Sequence, residues 1–205
     1  MPPPPYPGLR LRATGDRRPK IAAAICQPPR TRTSQPPALP ATPARMTAHP
    51  RPYEPCDLAA CLALFDGNTP PFFAPEERAE FRAFLESLPA DDRPYLVLTE
   101  AGEVIACGGL IAEPGTSRAS FTWGMVARAW HGQRLGTRLV QARLELARRM
   151  PGITELALST SQHTRGFYEG LGFTTTSITP NGFGPGLDRC DMVLPLAQAS
   201  RACPT

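Results

Sequence analysis

The sequence has no long apolar run, and this absence excludes one class of protein at once. No segment approaches the ~18 consecutive apolar residues of a membrane-spanning helix. The apolar patch at residues 21–26 is shorter than the ~7–15-residue core of a signal peptide, and Pro28 and Pro29 follow it directly. We therefore expect no membrane partner and no secretion.

Cysteine motifs for a metal site or a disulfide framework are also missing. The six cysteines form no CxxC pair and have no histidine at ligand spacing; they lie at positions 26, 56, 61, 107, 190 and 203. Reduced thiols in the cytoplasm are the ordinary state of such a set. We predict a cytoplasmic protein without a metal.

Excess basic charge is missing from the part of the chain that is patterned like a globular domain. Residues 1–45 carry eight Lys or Arg and one acid, which sum to +7. The whole chain sums to +4, so residues 46–205 sum to −3. A nucleic-acid-binding domain needs its basic residues clustered on a folded face, so we expect no nucleic-acid partner.

Proline is concentrated at the front of the chain. Twelve of the 26 prolines lie in residues 1–45, where no helical or strand period survives and little apolar surface offsets the entropy of ordering. We predict a disordered extension there; the functional alternatives are a polyproline II ligand and a basic tail that touches phosphates. Met46 stands where the globular pattern begins, so translation starting at Met46 is a further hypothesis. We expect one domain over residues 46–197 and a short tail over residues 198–205.

The remaining chain alternates between strand-like and helix-like segments. Predicted strands cover residues 48–54, 95–99, 104–111, 119–126, 153–158, 174–179 and 191–196. Predicted helices cover residues 57–66 with Asp57 as N-cap, a segment opened by Glu76 and Glu77, residues 133–149 and residues 162–171, and a glycine-rich loop covers residues 180–186. The order β-α-α-β-β-β-α-β-α-β-β predicts the α/β (α+β) class, with a mixed, partly antiparallel central sheet flanked by helices.

The most informative stretch lies between the fourth strand and the longest helix, His131-Gly132-Gln133-Arg134-Leu135-Gly136-Thr137-Arg138. A helix start carries unpaired N–H groups and about half a positive charge, so it suits a pyrophosphate. Gly132 and Gly136 let a ligand approach the backbone closely, and Arg134 and Arg138 supply cationic donors. An ordinary surface loop before a capped helix has the same local pattern, so this motif alone leaves both interpretations open.

A second motif follows the fifth strand. Hydroxyl residues at positions 159–161 can cap a short helix that presents Tyr168 and ends in Leu171-Gly172-Phe173. Together with the first motif and the order of elements, this run resembles the GNAT superfamily of acyl-CoA-dependent N-acetyltransferases. The resemblance covers about residues 48–196.

The resemblance implies acetyl-CoA as co-substrate and direct transfer of its acetyl group to a primary amine in a ternary complex. A backbone N–H at the splayed end of the fourth strand, near Met125 or Val126, would polarise the thioester carbonyl. Tyr168 would donate a proton to the CoA sulfur. His131 stands where arginine or glutamine is usual in the family, and Arg134 replaces a glycine. The implied cofactor-binding residues are Met125, Val126, His131, Gly132, Gln133, Arg134, Leu135, Gly136, Thr137, Arg138 and Ser161.

No single general base follows from the sequence. The fourth strand has no glutamate, so the candidates are His131, His163, Asp188 and Asp191, besides deprotonation through water. The structural alternative for the two aspartates is a pair with Arg189.

The resemblance places the acceptor between the loop after the first helix and the loop before the last strand. The candidate substrate residues are Phe72, Phe73, Trp123, Phe183 and Asp188. An aromatic slot with a nearby carboxylate suits a small-molecule amine or a protein N-terminus, whereas Phe72 and Phe73 as mere core residues are the structural alternative.

Two other functions stay open at this point. A catalytically silent CoA-binding or regulatory module on the same fold would bind acetyl-CoA without turnover. A proline-rich interaction protein would use the globular body only to carry the extension. We expect a monomer, or a homodimer that pairs through an edge strand such as residues 191–196.

Overall fold

The computed structural model describes residues 48–70 and 72–196; the predicted extension over residues 1–45, Met46 and the tail over residues 198–205 lie outside them. Seven strands and four helices follow the predicted order. The strands are β1 (His49–Pro52), β2 (Tyr95–Glu100), β3 (Glu103–Ala112), β4 (Arg118–Val126), β5 (Glu155–Thr160), β6 (Thr174–Gly184) and β7 (Leu187–Pro195). The helices are α1 (Leu58–Asn68), α2 (Glu77–Glu86), α3 (Leu135–Arg149) and α4 (Arg165–Glu169).

All seven strands form one sheet in the order β1-β2-β3-β4-β5-β7-β6. Every neighbouring pair is antiparallel except β4 and β5, which run parallel. The predicted mixed, partly antiparallel sheet with flanking helices is therefore confirmed. Among the described helices, none has the length and apolar content needed to cross a membrane.

Two apolar cores lie on the two faces of the sheet. Helices α3 and α4 cover one face, where Leu139 and Tyr168 join Phe121 of β4 in a single buried cluster. Helices α1 and α2 cover the other face, where the rings of Phe65 and Phe81 lie 6.3 and 5.1 Å from that of Trp123. In α2 and α3 the apolar residues recur at spacings of three and four, which places them on one side of each helix, whereas Leu58–Phe65 of α1 is apolar throughout.

The two parallel strands separate in the middle of the sheet. β4 pairs with β5 only over residues 118–120 and 155–157. Both strands continue, to Val126 and to Thr160, while β5 remains paired with β7 on its other side. The carboxyl ends of β4 and β5 therefore leave an opening, which we call the split. In open α/β sheets, ligands bind outside the carboxyl ends of strands at such a point.

A bulge in β4 lies beside the split. One residue of β3, Gly108, faces two residues of β4, Trp123 and Gly124. Trp123 has a φ of 42°, a left-handed conformation that side chains other than glycine rarely adopt. The hydroxyl of Tyr95 donates a hydrogen bond of 2.8 Å to the Trp123 carbonyl and holds the bulge in place. Bulges of this kind re-aim side chains next to active sites.

The predicted glycine-rich loop over residues 180–186 is wrong. β6 continues through Gly184 and β7 begins at Leu187, so the two strands form a hairpin. The side-chain oxygen of Asn181, itself at a φ of 54°, accepts a 2.6 Å hydrogen bond from the Gly186 N–H. The turn residues therefore close a hairpin where the sequence suggested irregular chain.

The suggested edge at residues 191–196 is also wrong. Those residues belong mostly to β7, which lies between β5 and β6 and is paired on both sides. The edge strand is β6, where Ile178 is 47% exposed. The strand predicted over residues 174–179 was not extended to residue 184 because both faces of β6 are largely exposed, and a strand without a buried face shows no alternating apolar pattern.

Two smaller helix predictions need correction. Asp57 does not cap α1, because its carboxylate instead accepts two 2.7 Å hydrogen bonds from Arg51 and one of 2.9 Å from the Glu54 N–H. These bonds, chiefly those from Arg51, hold the pKa of Asp57 below its ordinary value. The helix that carries Tyr168 spans only Arg165–Glu169, not residues 162–171.

Candidate active site

The loop between β4 and α3 has the geometry of an anion cradle. Gly132 has a φ of 78° and Arg134 a φ of 60°, and α3 begins at Leu135 rather than at residue 133. No side chain caps the start of this helix, so the N–H groups of its first turn are available to a ligand. Left-handed residues among right-handed ones turn successive N–H groups into one concavity, which binds anions.

Arg134 adopts a conformation that suits glycine, the residue it replaces in the family pattern. Left-handed backbone costs about 1–2 kcal/mol for a residue with a Cβ. Glycine avoids this cost but loses about 0.5–1 kcal/mol more conformational freedom on folding. Arg134→Gly is therefore expected to raise the free energy of unfolding by about 0.5–1 kcal/mol, measured by urea denaturation.

Gln141→Gly is the matched control for that substitution, because residue 141 is exposed in the middle of α3. There glycine should lower the free energy of unfolding by about 1 kcal/mol. Equal losses from both substitutions would show that the left-handed backbone at Arg134 is not strained.

His131 turns back onto β4. Its Nε2 lies 2.9 Å from the carbonyl oxygen of Val126, and its ring lies edge-on to Phe72 with 6.0 Å between centroids. Arg128 from the same loop donates a 3.1 Å hydrogen bond to the Pro70 carbonyl. The loop is thereby tied to the segment after α1, and contact of His131 with the cofactor stays a prediction.

The remaining predicted cofactor-binding residues lie in the loop before α3 or in the first turns of that helix. Gln133 donates a long 3.4 Å hydrogen bond to the Ala129 carbonyl. Leu135 and Gly136 are buried in the first turn of α3, and Thr137 and Arg138 follow them at its half-buried side. Their roles toward a phosphate stay predictions.

The end of β4 presents its backbone to the split. The Ala127 N–H donates to the Ile105 carbonyl of β3 at 2.8 Å. Because strand residues alternate in direction, the N–H of Met125 also faces β3, whereas that of Val126 faces away from it. The Val126 carbonyl, on the same side, accepts hydrogen bonds from His131 and from Asn68, the latter at 3.0 Å.

Tyr168 lies fully buried in α4 and faces the sheet from the β5 side of the split. Its ring lies edge-on to Phe121 and Phe173, at centroid distances of 6.5 and 5.7 Å. The start of α4 is fixed because the Ser161 carbonyl accepts 3.1 Å hydrogen bonds from the N–H groups of Thr164 and of the next residue. The predicted tyrosine therefore has one defined place beside the end of β5.

Buried polar side-chain atoms without a hydrogen-bond partner gather around the split. Within the described residues they include Oγ1 of Thr122 on β4, Oγ of Ser161 after β5, and Oδ1 of Asn68, whose Nδ2 donates to the Val126 carbonyl at the end of β4. Buried polar groups are otherwise almost always paired. These atoms therefore fit a polar ligand such as the pantetheine arm of acetyl-CoA, which offers amide and carbonyl groups.

The predicted acceptor residues do not form one slot. Phe73 and Trp123 are buried in the core between α1, α2 and the sheet, with ring centroids 6.2 Å apart. Phe72 is only half-buried and faces the loop through His131 and Arg128. Phe73 is therefore a core residue, as the structural alternative for it proposed. The substrate role of these side chains stays a prediction.

The other two predicted acceptor residues lie on the β6–β7 hairpin. Phe183 is half-buried near its tip, and the carboxylate of Asp188 accepts a 2.9 Å hydrogen bond from the Asn181 N–H. The pair with Arg189 is made by Asp191, at 2.9 Å. Sequence reasoning offered this pairing for both aspartates, and the structure selects one.

Asp191 is the best-connected carboxylate in this region. It accepts hydrogen bonds of 2.5 Å from Ser159, 2.9 Å from Ser177 and 2.9 Å from Arg189. Partial burial raises its pKa, but the three hydrogen bonds outweigh that effect and the net pKa lies below the ordinary value. A carboxylate held ionised in this way suits binding of a cation better than accepting a proton.

One buried charge near the split was missed from the sequence. Arg143 of α3 is fully buried. It lies four residues after Leu139 and eight after Leu135, and this spacing places it on the apolar side of the helix. That spacing was the available signal. Within residues 48–70 and 72–196, no three His, Cys, Asp or Glu side chains group in a way that could hold a metal ion.

Comparisons with known proteins agree with this geometry. The family described as Acetyltransferase (GNAT) family matches residues 61–173. No curated protein matches the chain.

Three solved structures illustrate the likeness of the fold. A proposed GNAT acetyltransferase of Desulfovibrio desulfuricans is 22% identical, with a TM-score of 0.66 over 74% of this chain and 100% of its own. The ribosomal-protein-S18-alanine N-acetyltransferase of Escherichia coli is 18% identical, with a TM-score of 0.63 over 78% of this chain and 100% of its own. A proposed acetyltransferase of Salmonella typhimurium, solved with acetyl-CoA, is 21% identical, with a TM-score of 0.61 over 78% and 98%. The family match spans more than half of the 205 residues, and the chain therefore belongs to the GNAT family of acetyltransferases.

Proposed function

We propose that this acetyltransferase moves an acetyl group from acetyl-CoA directly to a primary amine while both substrates are bound. The observation that carries the proposal is the split between β4 and β5. An N–H-rich loop, an unpaired strand edge and a buried tyrosine border it, and they would supply the three parts that acetyl transfer from a thioester needs.

The loop would hold the pyrophosphate of CoA. The N–H groups around Gly132 and Arg134 and those of the first turn of α3 form a cradle that favours negative charge. Arg138 follows one turn into the helix and adds a cation on its half-buried side. The pantetheine arm would then run along β4 toward the bulge, past the unpaired oxygens of Thr122 and Ser161.

The end of β4 would bind the thioester. The N–H of Val126 faces away from β3, so it is available to the carbonyl oxygen, and by the same alternation so is that of Gly124. The bound amine first loses the proton of its ammonium form to water, and its neutral nitrogen then forms the new C–N bond as the C–S bond breaks. Tyr168 donates its proton to the leaving thiolate, and the proton released by the amine passes to water. Tyr168 then regains a proton from solvent.

The acceptor would approach the split from the α1–α2 side of the sheet. Asp191 offers an ionised carboxylate there, which suits a positively charged amine. Both a small-molecule amine and a protein N-terminus have that chemistry. The Escherichia coli neighbour is named for the alanine of a ribosomal protein, which favours including an N-terminal alanine peptide among the first acceptors.

Cys56, Cys61, Cys107 and Cys190 are free thiols, which suits the reducing cytoplasm.

Cofactor binding is tested first, by calorimetric titration of acetyl-CoA into the full chain. We expect a dissociation constant in the micromolar range, weakened at least tenfold by Arg138→Glu because a charge beside the phosphates is reversed. Arg148→Glu makes the same charge change at the far, exposed end of α3 and should leave the affinity almost unchanged. Equal losses in the two variants would place the cofactor elsewhere.

Turnover separates the enzyme from a silent CoA-binding module. Release of free thiol is followed with acetyl-CoA and either a small aliphatic amine or a tripeptide with N-terminal alanine. Thiol release that depends on the amine supports the transferase. Binding of acetyl-CoA without thiol release from a broad panel of amines would support the silent module.

A further inference from the structure

Arg143 places a positive charge inside the core next to the split. Its side chain is fully buried, and the guanidinium lies against the two glycines at the β4 bulge. A Cβ on Gly124 would lie 2.8 Å from both Nη atoms, and one on Gly108 would lie 3.2 Å from Nη1. Both strands therefore have a glycine where the guanidinium passes, and the bulge makes room for this cation.

No carboxylate neutralises Arg143 within the described residues. The one acidic side chain buried there is Asp57, which is bound to Arg51. Nε and both Nη atoms of Arg143 are buried without a hydrogen bond of standard geometry. The guanidinium instead lies over the ring of Phe121, 4.1 Å from its centroid.

The side chains that favour the charged form of Arg143 are weak acids. Burial lowers the pKa of Arg143, and the side chains of Tyr168, Tyr95 and Cys107 oppose this lowering, with Tyr168 first among them. All three are uncharged near neutral pH at their ordinary pKa values. An arginine stays protonated even when buried, so the core holds a cation, and the side chain that most favours its charged form is Tyr168.

A buried cation without an anion costs free energy and is not explained by stability alone. The cost is offset only in a state in which a negative charge stands next to it. If Tyr168 gives its proton to the CoA thiolate, the tyrosyl oxygen becomes that negative charge. The guanidinium beside a neutral phenol then becomes an ion pair of guanidinium and phenolate.

We propose that Arg143 is a positioning residue that stabilises the tyrosinate left when Tyr168 protonates the leaving thiolate. The proposal rests on the proposed function of Tyr168 as proton donor. The proton moves from the Tyr168 oxygen to the CoA sulfur, and Arg143 keeps its own protons throughout. The driving force for proton donation is raised because a neighbouring guanidinium stabilises the charged phenolate more than the neutral phenol.

The titratable side chains that act on Arg143 come from three elements: Tyr168 from α4, Tyr95 from β2 and Cys107 from β3. On α4 itself, Arg165 and Glu169 are exposed or half-buried and pair with each other at 3.3 Å. Arg143 is the buried cation among these groups, so the effect on Tyr168 is assigned to it.

The test is a pH titration of the full chain labelled with ¹³C at the tyrosine ring carbon that bears the oxygen, followed by NMR. The chain has four tyrosines, and single Tyr→Phe variants assign their signals. Burial raises the pKa of Tyr53 to about 12 and that of Tyr95 well above its ordinary value, which keeps their signals apart. No substrate is present, so the result is independent of whether an acceptor has been found.

We expect Tyr168 to titrate below its ordinary range although it is fully buried. Arg143→Met, which keeps much of the volume and removes the charge, should lower its acid ionisation constant at least tenfold. Arg143→Lys, which keeps a cation, should lower it less. The melting temperature of Arg143→Met should be equal or higher, because an unpaired buried charge is gone; a merely structural arginine would give the opposite result.

Two results would overturn the proposal. One is a Tyr168 midpoint at or above the ordinary tyrosine value in the unchanged protein, which requires no variant to fold. The other is the same midpoint with and without the Arg143 charge. A third result is possible: the Tyr168 midpoint is lowered by Arg143 as expected, but the protein releases no thiol. That result would support the pairing of Arg143 with Tyr168 and contradict the proposed transfer activity.

Discussion

Replacing Tyr168 by phenylalanine is expected to lower kcat by about 10²–10⁴-fold, the usual contribution of a positioned proton donor. The hydroxyl is deleted while the ring contacts with Phe121 and Phe173 remain. The dissociation constant for acetyl-CoA should change less than threefold, since the loop and β4 supply the binding groups. Steady-state thiol release and calorimetric titration measure the two quantities separately.

Tyr53→Phe is the matched control for this deletion. Tyr53 is buried near β2, where its ring lies edge-on to Tyr95 at 5.9 Å, and it belongs to the core on the other face of the sheet. Its kcat should stay close to that of the unchanged protein. If Tyr168→Phe lowered kcat and cofactor affinity by the same factor, Tyr168 would be a structural residue.

Gly109→Ala is expected to lower the free energy of unfolding by about 3 kcal/mol, the upper end of overpacking costs. A Cβ there would lie 2.5 Å from the Pro94 carbonyl oxygen and 2.5 Å from Cδ2 of Tyr95. Backbone cannot move aside as a flexible side chain can. Because Tyr95 also holds the bulge through Trp123, the substitution should disturb the split as well, and urea denaturation with a parallel acetyl-CoA titration measures both effects.

Gly67→Ala provides the opposite expectation at another glycine. Residue 67 lies in α1, and a Cβ there meets nothing within 4 Å. Alanine should raise the free energy of unfolding by about 0.5–1 kcal/mol because it is the better helix former. Destabilisation by Gly67→Ala, or tolerance of Gly109→Ala, would contradict the packing described around β2 and β3.

Local patterns in the sequence were sufficient for much of the fold. The spacing of Leu135 and Leu139 predicts α3 because a helix repeats its facing residues every three to four positions. The turn at residues 100–103 predicts the β2–β3 hairpin, and it is found between Glu100 and Glu103. Such features depend on neighbours in sequence, so they are readable without the tertiary structure.

Features that depend on distant contacts were not readable. The left-handed Trp123 is held by Tyr95, far away in sequence, so nothing in residues 119–126 predicts the bulge. The continuation of β6 through residue 184 depends on pairing with β7. Arg143 has the spacing of a residue on the apolar side of α3, but an arginine in a helix is ordinarily exposed, and the packed core shows that this one is buried.

The placement of the two tryptophans has a practical consequence. The chain has only Trp123 and Trp130; the first is in the β4 bulge, and the second is in the short helical turn Arg128–Trp130 that leads to the anion cradle between β4 and α3. All of the tryptophan fluorescence of the protein therefore originates beside the split, without a background from the rest of the fold. A ligand that binds in the split should change the tryptophan emission of the unlabelled chain. Ligands can therefore be ranked by fluorescence titration before any acceptor is identified.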